Sequence, residues 1–98
     1  VAARRFRFHP AAELELTEAA DWYEERRAGL GAELVASVRG KVEEIIEAPG
    51  RWRAVGDTRR APLGRFPYVI VYRELPQNEI EIVAIAHYRR RPNYWARR

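Results

Sequence analysis

Apolar residues recur at every third or fourth position up to Pro49-Gly50 and at every second position over much of the remaining chain. This one change of period divides the chain into a helical part and a sheet part. Residues Ala32 to Ala48 carry the clearest helical stripe, made of Leu34, Val35, Val38, Val42, Ile45 and Ile46, and Pro49-Gly50 closes it. An earlier stripe of Ala12, Leu16, Ala19, Ala20 and Tyr23, with Trp22 beside it, predicts a helix from Pro10 to about Arg27. Pro10 suits its first turn, Glu13, Glu15 and Glu18 complement its positive end, and Gly29 and Gly31 are read as its breakers. Two amphipathic helices joined by about three residues run antiparallel and offer their stripes to a common surface.

Strands supply that surface. Arg5, Phe6, Arg7 and Phe8 alternate as in a half-buried edge strand ahead of the first helix. A loop from Arg51 to Asp57 leads to a short strand around Arg59 to Leu63, where Pro62 is tolerable only if its missing donor is not needed. Tyr68 to Arg73 and Glu79 to Ala86 are rich in β-branched and aromatic residues, and Glu74 to Asn78 has the length of a hairpin loop between them. With Arg73 facing Glu79, Val71 faces Glu81 and Val69 faces Val83, while Tyr68, Ile70, Tyr72, Ile80, Ile82 and Ala84 share the face that the helices cover. If no bulge intervenes, His87 projects from the other, uncovered face. The expected fold is α+β in the order β-α-α-β-β-β, a helical hairpin on one face of a small antiparallel sheet, as one domain over residues 1–98.

The charge is split by sign between the two parts. Residues 1–48 hold seven basic and ten acidic residues, whereas residues 49–98 hold eleven basic, all arginine, and four acidic. Arginine binds carboxylate and phosphate through a planar fork and stays charged, so the second half calls for an anionic partner, nucleic acid or an acidic protein segment. Cysteine is absent, which removes disulfides and thiol chemistry and fits a reducing cytosol. No stretch is apolar for the ~20 residues that cross a bilayer, and the N-terminus has no basic-then-apolar leader, so a cytoplasmic protein with no membrane partner is expected. His9 and His87 stand near opposite ends without ligand spacing to carboxylates, so neither a metal nor another cofactor is expected. Ser37 is the single serine and sits in a helix, which rules out a nucleophilic triad, and no glycine-rich phosphate loop joins a strand to a helix.

Three stretches, in their order, resemble one family. TRRAPLGRFPYVIVYRE, Thr58 to Glu74, is similar to the central hairpin of RelE/ParE toxins, in which an arginine-bearing strand runs into a Phe-Pro-Tyr strand ending in Tyr-Arg. IVAIAHYRRRPNYWARR, from Ile82, resembles the last strand and tail of the ParE-like branch, and FHPAAELELTEAADWYEE, from Phe8, its opening strand and first helix. The resemblance implies a toxin of a type II toxin–antitoxin pair of the plasmid stabilisation kind. A cognate antitoxin with an acidic amphipathic segment would wrap it, and operator DNA would be reached only through that antitoxin. RelE-like members cut messenger RNA on the ribosome, whereas ParE-like members poison DNA gyrase.

The residues lean toward the second target. A metal-free ribonuclease needs a base for the ribose hydroxyl, cationic support for the transition state and an acid for the leaving oxygen. His87 and Tyr88 are the candidate catalytic pair, with Arg59, Arg60, Arg65, Arg73 and Arg89 as phosphate holders. RelE-type sites resemble clusters with lysines or a carboxylate in the central strands, but here the lone lysine is Lys41 in the second helix and Asp57 is the only carboxylate between Ala48 and Arg73. Arginine is a poor proton carrier because it stays protonated. Binding is therefore the expected mode of action, through the uncovered sheet face and the tail. A ribosome-dependent endoribonuclease is the alternative, and an antitoxin-binding protein that has lost toxicity is a third reading. The candidate target- or antitoxin-binding residues are Arg59, Arg60, Arg65 and Arg73 of the sheet region and Arg89, Arg90, Arg91, Tyr94 and Trp95 of the tail. Tyr94 and Trp95 are read as apolar anchors, Trp22 and Tyr23 as core, and Trp52 as a cover over a helix end.

Overall fold

The computed structural model describes residues 4–98, in which two helices pack on one face of a five-stranded mixed sheet. Strand β1 (Arg5–Phe8) leads into helix α1 (Pro10–Arg26) and helix α2 (Leu30–Glu47). After a 3-10 turn at Pro49–Arg51 come β2 (Ala54–Val55), β3 (Thr58–Pro62), β4 (Tyr68–Leu75) and β5 (Glu79–His87). The order across the sheet is β1-β5-β4-β3-β2, with β1 parallel to β5 and every other pair antiparallel. The two-residue β2 lies inside the segment read as a loop from Arg51 to Asp57. It is held by pairing with Thr58 and Arg59, and its own sequence is too short to show a period.

Helix α1 starts where Pro10 allows it, with the His9 Nδ1 accepting the Ala11 amide at 3.0 Å as its cap. Gly29, at φ +90°, ends the connection to α2. Gly31 does not break a helix, as its position beside Gly29 implied. It lies in the first turn of α2, buried, where a Cβ would come within 2.5 Å of the Ala20 carbonyl oxygen on α1. Glu24 locks the crossing by accepting the amides of Gly29 and Gly31 at 2.8 and 3.0 Å. Gly31→Ala should therefore destabilise by ~1–3 kcal/mol through overpacking, despite alanine's better helix propensity. A urea melt as stable as the parent's would show that the helices do not approach there.

The main core joins Leu34, Val38, Val42 and Ile45 of α2 and Ala12 and Ala19 of α1 to Ile70, Tyr72, Ile80, Ile82 and Ile85 of the sheet. Tyr72 is fully buried, and its hydroxyl donates to the Pro49 carbonyl, tying the turn after α2 to the sheet. The register differs from the sequence reading in two ways. First, the β4–β5 loop is only Pro76 to Asn78, with Gln77 and Asn78 in left-handed conformation, so Arg73 pairs with Glu81 instead of Glu79. Second, a bulge between the Val71–Ala84 and Tyr72–Ile82 pairs leaves Val83 extra on β5. Ile85 therefore takes the inward place assigned to Ala84, and His87 follows it to the helix side of the sheet.

The opposite face is not open. Residues after His87 fold back over it and build a second apolar cluster, in which Trp95, 6% exposed, packs with Val71, Val83, Ala84 and Ala86. The tail is pinned along its length. Arg60 donates to the Asn93 side-chain oxygen at 2.8 Å and Arg73 to the Arg98 carbonyl at 2.9 Å. Arg98 reaches round the edge of β5 to Glu15 of α1 at 2.8 Å and to the Val83 carbonyl at 3.0 Å. The second Glu15 oxygen accepts the Ile85 amide at 3.0 Å, satisfying a donor beyond the end of β1.

Candidate functional site

Three surfaces follow from this arrangement: the tail, a cleft between α1 and the ends of β4 and β5, and a groove beside β1. The sheet arginines singled out in the sequence do not form an open cationic face. Arg59 contacts Glu74 at 3.2 Å and donates to the Trp52 carbonyl at 2.7 Å, and Arg65 pairs with Glu33. Arg73 lies against Glu81 at 3.1 Å and Asp57 at 3.2 Å beneath the tail, and Arg60 lies over the Trp95 ring. These four mainly hold turns and tail to the sheet. Arg89, Arg90 and Arg91 are exposed on the turn that starts the tail, while Tyr94 and Trp95 turn inward as anchors.

Tyr94 stacks between the guanidinium groups of Arg90 and Arg98, 4.0 and 5.1 Å from its ring centre. Burial and the neighbouring Glu15 carboxylate push its ionisation far above the ordinary tyrosine range. Burial alone would raise the pKa of Glu15. Hydrogen bonds from Arg98 and the Ile85 amide, together with the neighbouring Tyr94, outweigh that and hold it below its usual value.

The cleft, about 440 Å³, is lined by Glu15, Glu18, Ala19, Trp22 and Tyr23 of α1 and by Tyr68, Ile85, His87 and Arg90. Tyr68 meets His87 edge-on at 5.1 Å and Tyr23 at 6.4 Å, which makes one wall aromatic. Trp22 is not core, as its place near the apolar stripe implied. It is 50% exposed at the rim, with Arg26 stacked 3.5 Å from its ring one turn on. His87 Nδ1 accepts the Arg89 amide at 3.0 Å, so in the neutral ring the Nε2 carries the proton. Tyr88 is 58% exposed. Of the arginines proposed to hold a phosphate, none lines this cleft with His87. Arg90 does, although it was read only as a binding residue.

The groove, about 390 Å³, is lined chiefly by Phe6, Phe8, Leu16, Val35, Val38 and Val42, with Arg39 and Glu43 at its rim. Phe6 is 48% exposed there, on an edge strand whose outer hydrogen-bonding side is unpaired among the described residues. Sequence reasoning missed both the groove and the cleft. The stripe containing Val35 and the strand containing Phe6 were legible separately, but nothing local says that they leave a gap between them. Trp52, partly buried, lies edge-on to Tyr72 between Lys41 and Arg51 and does cover the end of α2. Among the described residues no cluster of three metal-ligating side chains occurs, and no helix is long and apolar enough to cross a membrane.

A helical hairpin on one face of a mixed five-stranded sheet, with β1 parallel to β5, is the fold of the small α+β toxins of the ParE type. It matches a chain in the structure described as the chromosomal ParDE TA system from P. aeruginosa with a TM-score of 0.75, at 20% identity, over 87% of this chain and 96% of that one. The family model for the ParE toxin of type II toxin–antitoxin system, parDE, matches residues 6–92, and the chain belongs to that family. No curated protein matches it.

Proposed function

We propose that this ParE-family chain is neutralised by a cognate antitoxin and acts by binding DNA gyrase. The observation that carries the target reading is the aromatic cleft with the half-exposed Trp22 at its rim, a concave site with an aromatic anchor of the kind that dominates protein recognition. A ribonuclease reading is disfavoured by the placement of His87, because the bulge turns it toward α1 and away from Arg60 and Arg73 on the tail side of the sheet. The antitoxin's amphipathic segment fits the groove beside β1, where Phe6 and Val35 offer apolar contact. Arg39 at the rim supplies a cation that suits an acidic segment.

Trp22→Ala should relieve inhibition of gyrase supercoiling at least tenfold while leaving antitoxin affinity unchanged, and Phe6→Asp should do the reverse. Both positions are half exposed, so both variants should fold. Full inhibition by Trp22→Ala would remove the cleft from the target interface. Cleavage of messages in a translating extract, abolished by His87→Ala, would replace gyrase with the ribosome.

A further inference from the structure

Exposed arginines without a carboxylate partner stand singly, as at Arg5, Arg39 and Arg53, and as a group on the tail, whose outward side forms a separate cationic surface. Among the described residues Arg89, Arg91 and Arg97 are exposed and have no carboxylate partner, whereas Arg90 stacks on Tyr94 and lines the cleft. The backbone that carries them is held by Trp95, by Asn93 on Arg60 and by Arg98 on Glu15. These guanidinium groups therefore sit on a fixed element, and less ordering entropy is lost when a ligand binds.

What the tail lacks is as informative as what it has. Its two apolar anchors, Tyr94 and Trp95, are spent inward on the sheet, and only Tyr88 points out. Protein partners draw most of their binding energy from buried aromatic and apolar anchors, whereas DNA interfaces are more polar and far more positive. We infer that the outward side of the tail, through Arg89, Arg91 and Arg97, binds the phosphodiester backbone of duplex DNA without regard to base sequence. Each guanidinium fork matches two phosphate oxygens, and an irregular tail offers no helix or strand to enter a groove and read bases. This contact needs neither antitoxin nor gyrase and stands apart from the gyrase reading.

The test is fluorescence anisotropy of a short random-sequence duplex titrated with the protein alone at rising salt. Three phosphate contacts predict a slope of log affinity against log salt of roughly −2.7. The triple variant Arg89→Gln, Arg91→Gln, Arg97→Gln should remove nearly all of this slope and weaken binding at least tenfold at low salt. A second triple variant, Arg27→Gln, Arg51→Gln, Arg53→Gln, removes the same charge from exposed positions beside the helical layer and should keep the parent slope. Circular dichroism melts confirm that both variants fold. The inference is overturned if the parent does not bind, if both triple variants lose affinity equally, or if an acidic peptide of matched charge competes better than the duplex. None of these results touches the supercoiling assay.

Discussion

Replacing Trp95 with alanine is expected to lower the unfolding free energy by about 3–5 kcal/mol, the range for removing a buried tryptophan. The indole is 6% exposed and is the main lid over Val71, Val83, Ala84 and Ala86. Its loss leaves a cavity, or frees the tail and wets the outer face of β4 and β5. Single domains have stabilities of roughly 5–15 kcal/mol, so this one side chain carries a large share. Urea unfolding gives the magnitude. Amide exchange separates the two outcomes: a detached tail exposes the amides of residues 93–98 while the helices stay protected. A stability loss below about 1 kcal/mol, with exchange unchanged, would show that the tail does not cover the sheet.

Glu15→Gln is expected to destabilise by roughly 3 kcal/mol at neutral pH, at the lower end of the range for removing one partner of a largely buried ion pair. Glu15 and Arg98 have side-chain exposures of 14% and 17%, and the carboxylate also holds the Ile85 amide. The pH dependence has a definite sign. Because the folded-state pKa of Glu15 lies below its ordinary value of 4.5, its contribution is complete above that value and is lost as pH falls through the folded-state pKa. The parent should therefore lose stability more steeply than Glu15→Gln on acidification, and the two should converge in acid, where both side chains are neutral. Parallel stability curves from neutral to acid pH would show that Glu15 is not ionised in this pair.

Some of this molecule could be read from neighbouring residues alone. The apolar stripes of Ala12 to Tyr23 and Leu34 to Ile46 record helical period directly, and the alternation of Tyr68, Ile70 and Tyr72 records which side of β4 faces the core. Parity held on β5 through Ile80 and Ile82 and failed at Ala84, because one extra residue reverses every side chain after it. That residue left no local mark. What fixes the strand beyond it is Glu15, 70 positions earlier, accepting the Ile85 amide.

The arginines show the same limit. Their concentration in the second half was plain in the sequence, and so was the need for anionic partners. Asp57, Glu74 and Glu81 turned out to be such partners for Arg59 and Arg73, brought close by strand pairing. The aromatic tail was equally visible, but not that it folds onto the sheet and closes a face that alternation alone left bare.

Sequence by itself determined the kind and order of nearly every element and which side of each helix is buried, since hydrophobic period is a property of residues three or four apart. Only the tertiary structure decided the bulge, the burial of Trp95 and the division of arginines into paired and bare. Those depend on groups far apart in the chain meeting in space, and no local pattern encodes that meeting.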